Sequence, residues 1–78
     1  TMTIELLTID GDQNNDLARE TLRKLSARGN VTIKEVICSP GVKELYDMPL
    51  ISVDQGLRYF GLERIQHFVV SQLNLTHS

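Results

Sequence analysis

The first half of the chain carries two apolar runs separated by an amphipathic segment. Residues 3–9 and 31–38 are rich in aliphatic and β-branched side chains, which favours two strands. Between them, Leu17 and Leu22 begin a stripe at helical spacing and charged residues fill most other positions, which predicts a helix over 16–27. This connection is long enough for a right-handed crossover, so the two strands should pair in parallel.

The second half reads as a short helix, a hairpin and a closing helix. A short helix is predicted over 40–46, because Ser39 and a proline precede weak helical spacing. Two β-type runs at 50–53 and 57–60 flank a three-residue turn in which we expect Gly56 to supply a positive φ. Apolar residues at helical spacing then predict a helix over 62–73.

These elements in order, β-α-β-α-β-β-α, define an α/β fold class. With a right-handed crossover, they build a four-stranded mixed sheet with helices on both faces. The 78 residues are expected to form a single domain with a thin core, since a short chain buries a small fraction of its surface.

Composition narrows the classes of function. The formal net charge is −2 and the basic residues are spread along the chain, so we expect no nucleic-acid partner. The single cysteine, Cys38, excludes a disulfide framework within the chain. No apolar run approaches the roughly 18 residues of a membrane span, and no signal peptide is visible, so we expect no membrane partner and a cytoplasmic location.

The pair Met48-Pro49 stands directly before the third predicted strand, and Gly56 and Gly61-Leu62 lead into the last helix. This order resembles the C-terminal half of the thioredoxin/glutaredoxin family, in which a cis-proline precedes a β-hairpin, a glycine and a closing helix. The resemblance extends over nearly the whole chain. It implies a thioredoxin-like fold and a cis bond at Pro49, although few X-Pro bonds are cis in general.

The chain departs from this family where the family's redox motif follows the first strand. Aligning Ala18 with the family's Ala or Thr places the Cys-x-x-Cys positions on Asp12 and Asn15. A carboxylate or amide at a helix N-terminus keeps the favourable interaction with the helix dipole but cannot attack a disulfide. The loop is either a solvated capping loop or a polar site that faces the cis-proline loop, as the resemblance implies.

Cys38 ends the second predicted strand, at the sheet edge where the family's active site lies. A lone cysteine at the end of an apolar strand is usually a small core side chain. A regulatory or mixed-disulfide thiol is the alternative, since a helix opening at Ser39 would favour the thiolate. Glu63 and His67 share a helix face without further ligands, so we expect neither a metal site nor a cofactor.

The sequence therefore predicts a thioredoxin-like domain without catalysis, which binds a protein or peptide through its cis-proline face. The expected binding residues are Asp12, Asn15, Met48, Pro49 and Gly61. Two alternatives remain open: a single-cysteine thiol-disulfide oxidoreductase or redox-regulated protein acting through Cys38, and a homo-oligomer formed through an exposed edge strand.

Overall fold

The computed structural model describes residues 1–75 and shows an α/β fold with a four-stranded mixed sheet. In chain order the elements are β1 (Met2–Ile9), α1 (Asn15–Ser26), β2 (Val31–Cys38), a 3₁₀ helix (Pro40–Glu44), β3 (Leu50–Val53), β4 (Leu57–Phe60) and α2 (Leu62–Leu75). The four predicted strands and the two longer helices are confirmed, with ends that shift by at most two residues.

The strand order is β2-β1-β3-β4. β1 pairs in parallel with β2 over eight residues, as the predicted crossover requires, and β3 runs antiparallel to both β1 and β4. This register places Leu7 beside Val36 on one side and beside Leu50 on the other, while Leu50 also pairs with Phe60. A row of apolar side chains therefore crosses the whole sheet.

The hydrophobic core lies between one face of the sheet and both α-helices. Strand residues such as Ile4, Leu6 and Ile51 share this core with Leu22 of α1 and Ile65 of α2, and none of the five is more than 1% exposed. Burying each of these side chains contributes about 1.5–3 kcal/mol of transfer free energy. Packing on this face of the sheet therefore contributes most of the free energy of burial that stabilises the domain.

The second face is covered far less than the prediction of helices on both faces requires. The segment predicted as a helix over 40–46 is only a 3₁₀ helix over Pro40–Glu44. It brings Val42 and Tyr46 over the sheet, while Leu45 stays 75% exposed. Gly41 and the small number of apolar residues give this segment too little helix propensity and too little apolar surface for a packed α-helix.

The buried side of α1 also differs from the predicted stripe. Ala18, Leu22 and Leu25 are buried, but Leu17 is 48% exposed and the polar Asn15 takes its place in the interior. α2 packs beside α1 on the same face of the sheet and so determines which arc of α1 is enclosed.

The hairpin turn corrects the expectation for Gly56, which does not have a positive φ. Asp54 and Gln55 adopt positive φ angles of 51° and 58° instead. Asp54 tolerates this conformation because aspartate is one of the residues that enter the left-handed region most readily. Its carboxylate also accepts a hydrogen bond of 2.8 Å from the N–H of Thr3, which fixes the turn against the start of β1.

A side-chain network joins α1 to β2. The Nε and an Nη of Arg19 donate to the two carboxylate oxygens of Glu35 at 2.7 and 2.8 Å, and Thr8 donates to the same carboxylate at 3.2 Å. The hydrogen bonds from Arg19, followed by the one from Thr8, hold the pKa of Glu35 below its ordinary value despite an opposing contribution from desolvation.

The first prediction concerns acid stability. Because the pKa of Glu35 is lower in the folded than in the unfolded chain, its contribution is complete above the unfolded-state value of about 4.3 and is lost as the pH falls through the folded-state value. We expect Glu35→Gln to lower the free energy of unfolding at pH 7 and the difference from the parent chain to shrink toward pH 3. Urea unfolding at pH 7, 5 and 3 measures this difference, and a constant difference would contradict the prediction.

Candidate functional site

One edge of the sheet gathers the five predicted binding residues and the backbone of Cys38. β1, β2 and β4 end at this edge with Ile9, Cys38 and Phe60, whereas β3 begins there with Leu50. α1 and α2 both begin at the same edge, since each follows a strand that ends there. We call it the Pro49 edge, which comprises residues 10–15, 38–39, 47–49 and 61–63.

The loop after β1 and the Met48-Pro49 pair lie side by side at the Pro49 edge. β1 and β3 are neighbouring strands, and neighbouring strands are about 4.8 Å apart. Residues 10–15 therefore lie next to the proline. The Met48–Pro49 peptide bond is cis, in agreement with what the resemblance implies.

Asp12 organises the start of α1. Its carboxylate accepts a hydrogen bond of 2.8 Å from the N–H of Asn14, and its carbonyl oxygen accepts one of 3.2 Å from the N–H of Asn15. The N-cap residue, Asn14, makes no capping hydrogen bond with its own side chain. Asp12 therefore satisfies donors at the N-terminus of the helix, which favours a carboxylate at this position.

Asn15 is a buried polar residue at the same turn and is only 6% exposed. Its Nδ2 donates to the carbonyl oxygen of Ile9 at 2.8 Å, which ties the first turn of α1 to the end of β1. Its Oδ1 is buried without a hydrogen-bond partner among the described residues. A buried acceptor without a donor is rare in native structures, and this one lies in the first turn of α1.

Pro49 and Gly61 connect β3 to α2. Pro49 is among the completely buried side chains, and its carbonyl oxygen accepts a hydrogen bond of 2.9 Å from the N–H of Gly61. The carbonyl oxygen of Gly61 in turn accepts from the N–H of Ile65 at 3.1 Å and so begins the helix. Gly61 has a φ of 91°, a conformation that side chains with a Cβ rarely adopt.

Met48 precedes Pro49 in the connection between the 3₁₀ helix and β3, and it is half-buried. Among the described residues, neither its N–H nor its carbonyl oxygen takes part in the backbone hydrogen bonds that join loops and turns. Backbone groups of this kind are available to pair with an added extended segment.

A shallow depression of about 370 Å³ lies beside Met48. Its walls contain Tyr46 and Phe60, whose rings stack with centroids 5.4 Å apart, together with two cationic and two anionic side chains: Lys43, Glu44, Asp47 and Arg64. The depression offers an aromatic surface to an apolar side chain and charged groups around it.

Cys38 reaches the Pro49 edge at its backbone, but its side chain lines a different feature. It is partly buried in a groove of about 330 Å³ on the second face of the sheet, along with Leu7, Val42 and Phe60. The opposite end of this groove contains Glu5 and Arg58. The sequence alone reveals this groove only in part. Side chains alternate between the two faces along each strand, so the residues of the second face can be identified once the register is known.

The described residues contain no cluster of metal-ligating side chains. Within residues 1–75, no three His, Cys, Asp or Glu side chains cluster in a way that could hold a metal ion. Glu63 and His67 are exposed on α2, and His77 lies outside the described residues. No helix among residues 1–75 combines the length and the hydropathy needed to span a membrane.

Comparisons with known proteins add no relatives to this description. No family model matches the chain, and neither the curated proteins nor the solved structures include a significant match. The interpretation of the Pro49 edge therefore depends on its own geometry.

Proposed function

We propose that this chain is a thioredoxin-like domain without redox chemistry, which binds an extended segment of a partner protein or peptide at the Pro49 edge. The observation that carries the proposal is the unpaired backbone of Met48 beside the proline. In the family that the sequence resembles, the backbone at this position pairs with an extended substrate segment by strand addition.

The surroundings of Met48 support binding. An extended segment next to Met48 would have the Tyr46–Phe60 stack on one side and the Asp12–Asn15 loop on the other. Aromatic surfaces are common in binding sites because they bury a large apolar area with little loss of conformational entropy. Pro49 and Gly61 contribute by fixing the backbone through their 2.9 Å hydrogen bond rather than by direct contact.

The same geometry argues against disulfide exchange at the motif positions. Asp12 and Asn15 are engaged in holding the start of α1, and neither side chain can form a mixed disulfide. The side chain of Cys38 lies in the second-face groove, two strands away from Pro49 in the sheet. Binding of an extended segment therefore needs only the backbone and side chains that are present at the Pro49 edge, and no thiol.

The second prediction tests the location of binding. A pool of capped pentapeptides, with valine alternating with varied residues, is titrated into the ¹⁵N-labelled chain. We expect the largest amide shifts at Met48, at Gly61 and in residues 10–15. Shifts confined to the outer strand β2 or to the second-face groove would overturn the proposal.

Peptides that carry an N-methyl group at one backbone amide serve as the matched control. Methylation of an amide that pairs with Met48 should weaken binding about fivefold, because one hydrogen bond contributes about 1 kcal/mol. Methylation at the other amides should change the affinity little. Equal effects at all positions would argue against strand addition.

A further inference from the structure

The Pro49 edge is more acidic than the chain as a whole. The edge itself carries four carboxylates, Asp10, Asp12, Asp47 and Glu63, and two more, Asp16 and Glu44, lie within three residues of it in the sequence. The free cations near this edge are Lys43 and Arg64, because Arg19 is already bound to Glu35 and Asp16. The net charge of the whole chain is only −2, so its negative charge is concentrated at this edge.

Only three of these six carboxylates have a role in stabilising the start of a helix. Asp16 and Glu63 lie in the first turns of α1 and α2, where a negative charge is favourable, and Asp12 accepts from the N–H of Asn14. Asp10, Glu44 and Asp47 are exposed and have no ion pair in the described part of the chain. Asp47 directly precedes Met48, so its charge lies beside the unpaired backbone.

One buried acceptor at the first turn of α1 has no hydrogen-bond partner among the described residues. The buried Oδ1 of Asn15, in a side chain that is 94% buried, has no donor among residues 1–75. An acidic partner segment would add further acceptors and further negative charge. A segment rich in ammonium or guanidinium groups would supply the charge opposite to that of the exposed carboxylates.

We propose that the segment bound at the Pro49 edge is basic, with Lys or Arg flanking the residue that pairs with Met48. This inference rests on the proposed function and specifies the chemical class of the partner. Lys43 and Arg64 line the depression together with Glu44 and Asp47, so positive side chains do not outnumber negative ones there. On the other side of Met48, residues 10–15 include Asp10 and Asp12 and no Lys or Arg, so the attraction is strongest toward the loop after β1.

The third prediction uses three capped pentapeptides that differ only in charge: Lys-Val-Lys-Val-Lys, Gln-Val-Gln-Val-Gln and Glu-Val-Glu-Val-Glu. Fluorescence anisotropy with labelled peptides at low salt should show the lysine peptide binding about tenfold more tightly than the glutamine peptide, and the glutamate peptide binding most weakly. The preference should shrink in 0.5 M salt, since exposed charges are screened within a few ångströms there.

Substitutions that each remove one carboxylate test which charges attract the lysine peptide. Asp10→Asn and Asp47→Asn should each weaken the lysine peptide about two- to fivefold, the size expected for an exposed ion pair, and leave the glutamine peptide unchanged. Glu20→Gln is the matched control, since Glu20 is exposed in the middle of α1, away from this edge. An equal loss for Glu20→Gln would overturn the proposal.

The outcomes separate this inference from the function on which it depends. If the lysine and glutamine peptides bind equally well at Met48, the domain binds peptides but the basic preference is wrong. If the lysine peptide binds but shifts amides only outside the Pro49 edge, both are wrong. Both are also wrong if none of the three peptides binds at millimolar concentration.

Discussion

Replacing Ile51 with alanine is expected to lower the free energy of unfolding by about 3 kcal/mol. Ile51 has no exposed surface, lies in β3 between β1 and β4, and contacts the core formed with both α-helices. The substitution removes buried methyl groups and leaves a cavity that the neighbouring strands cannot fill. A small domain has only about 5 kcal/mol of stability or slightly more, so this is a large share.

Urea unfolding followed by circular dichroism measures the effect of Ile51→Ala. Leu57→Ala is the matched control, because Leu57 lies in the adjacent strand β4 but is 65% exposed. We expect that control to change the stability by no more than about 0.5 kcal/mol. Similar losses for the two variants would show that the core does not lie where the structure places it.

Gly61→Ala is expected to destabilise the domain by about 1–2 kcal/mol, because an L-residue at a φ of 91° is strained. The space around Gly61 is not the cause, since an added Cβ would lie 3.5 Å from the Cβ of Asp47, an ordinary contact. The strain falls on the residue whose N–H donates the 2.9 Å hydrogen bond to the carbonyl oxygen of Pro49 and whose own carbonyl oxygen accepts the first hydrogen bond of α2. Peptide affinity should therefore fall along with stability.

Gly41→Ala provides the comparison for this substitution. Gly41 has no positive φ and open space around its Cα, and it lies in the 3₁₀ helix. Alanine at this position should leave the stability unchanged or raise it by up to about 1 kcal/mol, because it restricts the unfolded chain. Thermal unfolding of both variants checks the contrast, and a Gly61→Ala variant as stable as the parent would contradict the assigned backbone conformation.

The sequence predicts the sheet well because its aliphatic runs have few alternative interpretations. Runs such as 31–38 and 50–53 match the strands of the structure residue for residue. The side of α1 that faces the core is harder to predict. The helical spacing predicts that Leu17 is buried, but the structure buries Asn15 and leaves Leu17 exposed. Which residues of α1 are buried depends on how α2 packs against it. Because α2 is distant in sequence, the spacing of apolar residues within α1 does not contain this information.

The candidate site is predictable in part. Topology alone brings the Asp12–Asn15 loop and Met48-Pro49 to one edge, because parallel and antiparallel neighbours fix where each strand begins and ends. The buried Oδ1 of Asn15 and the unpaired backbone of Met48 require coordinates, since they depend on which hydrogen bonds form. The side-chain direction of Cys38 likewise follows from register and not from its position at the strand end.

The direction of α2 has a practical consequence for experiments on this chain. α2 begins at the Pro49 edge and its 14 residues rise about 1.5 Å each, so Leu75 lies some 20 Å away from that edge. β1 starts at the same remote end, where the N–H of Met2 donates to the carbonyl oxygen of Asn30. Immobilising the domain on a sensor chip through its first residue should therefore leave the Pro49 edge pointing into solution.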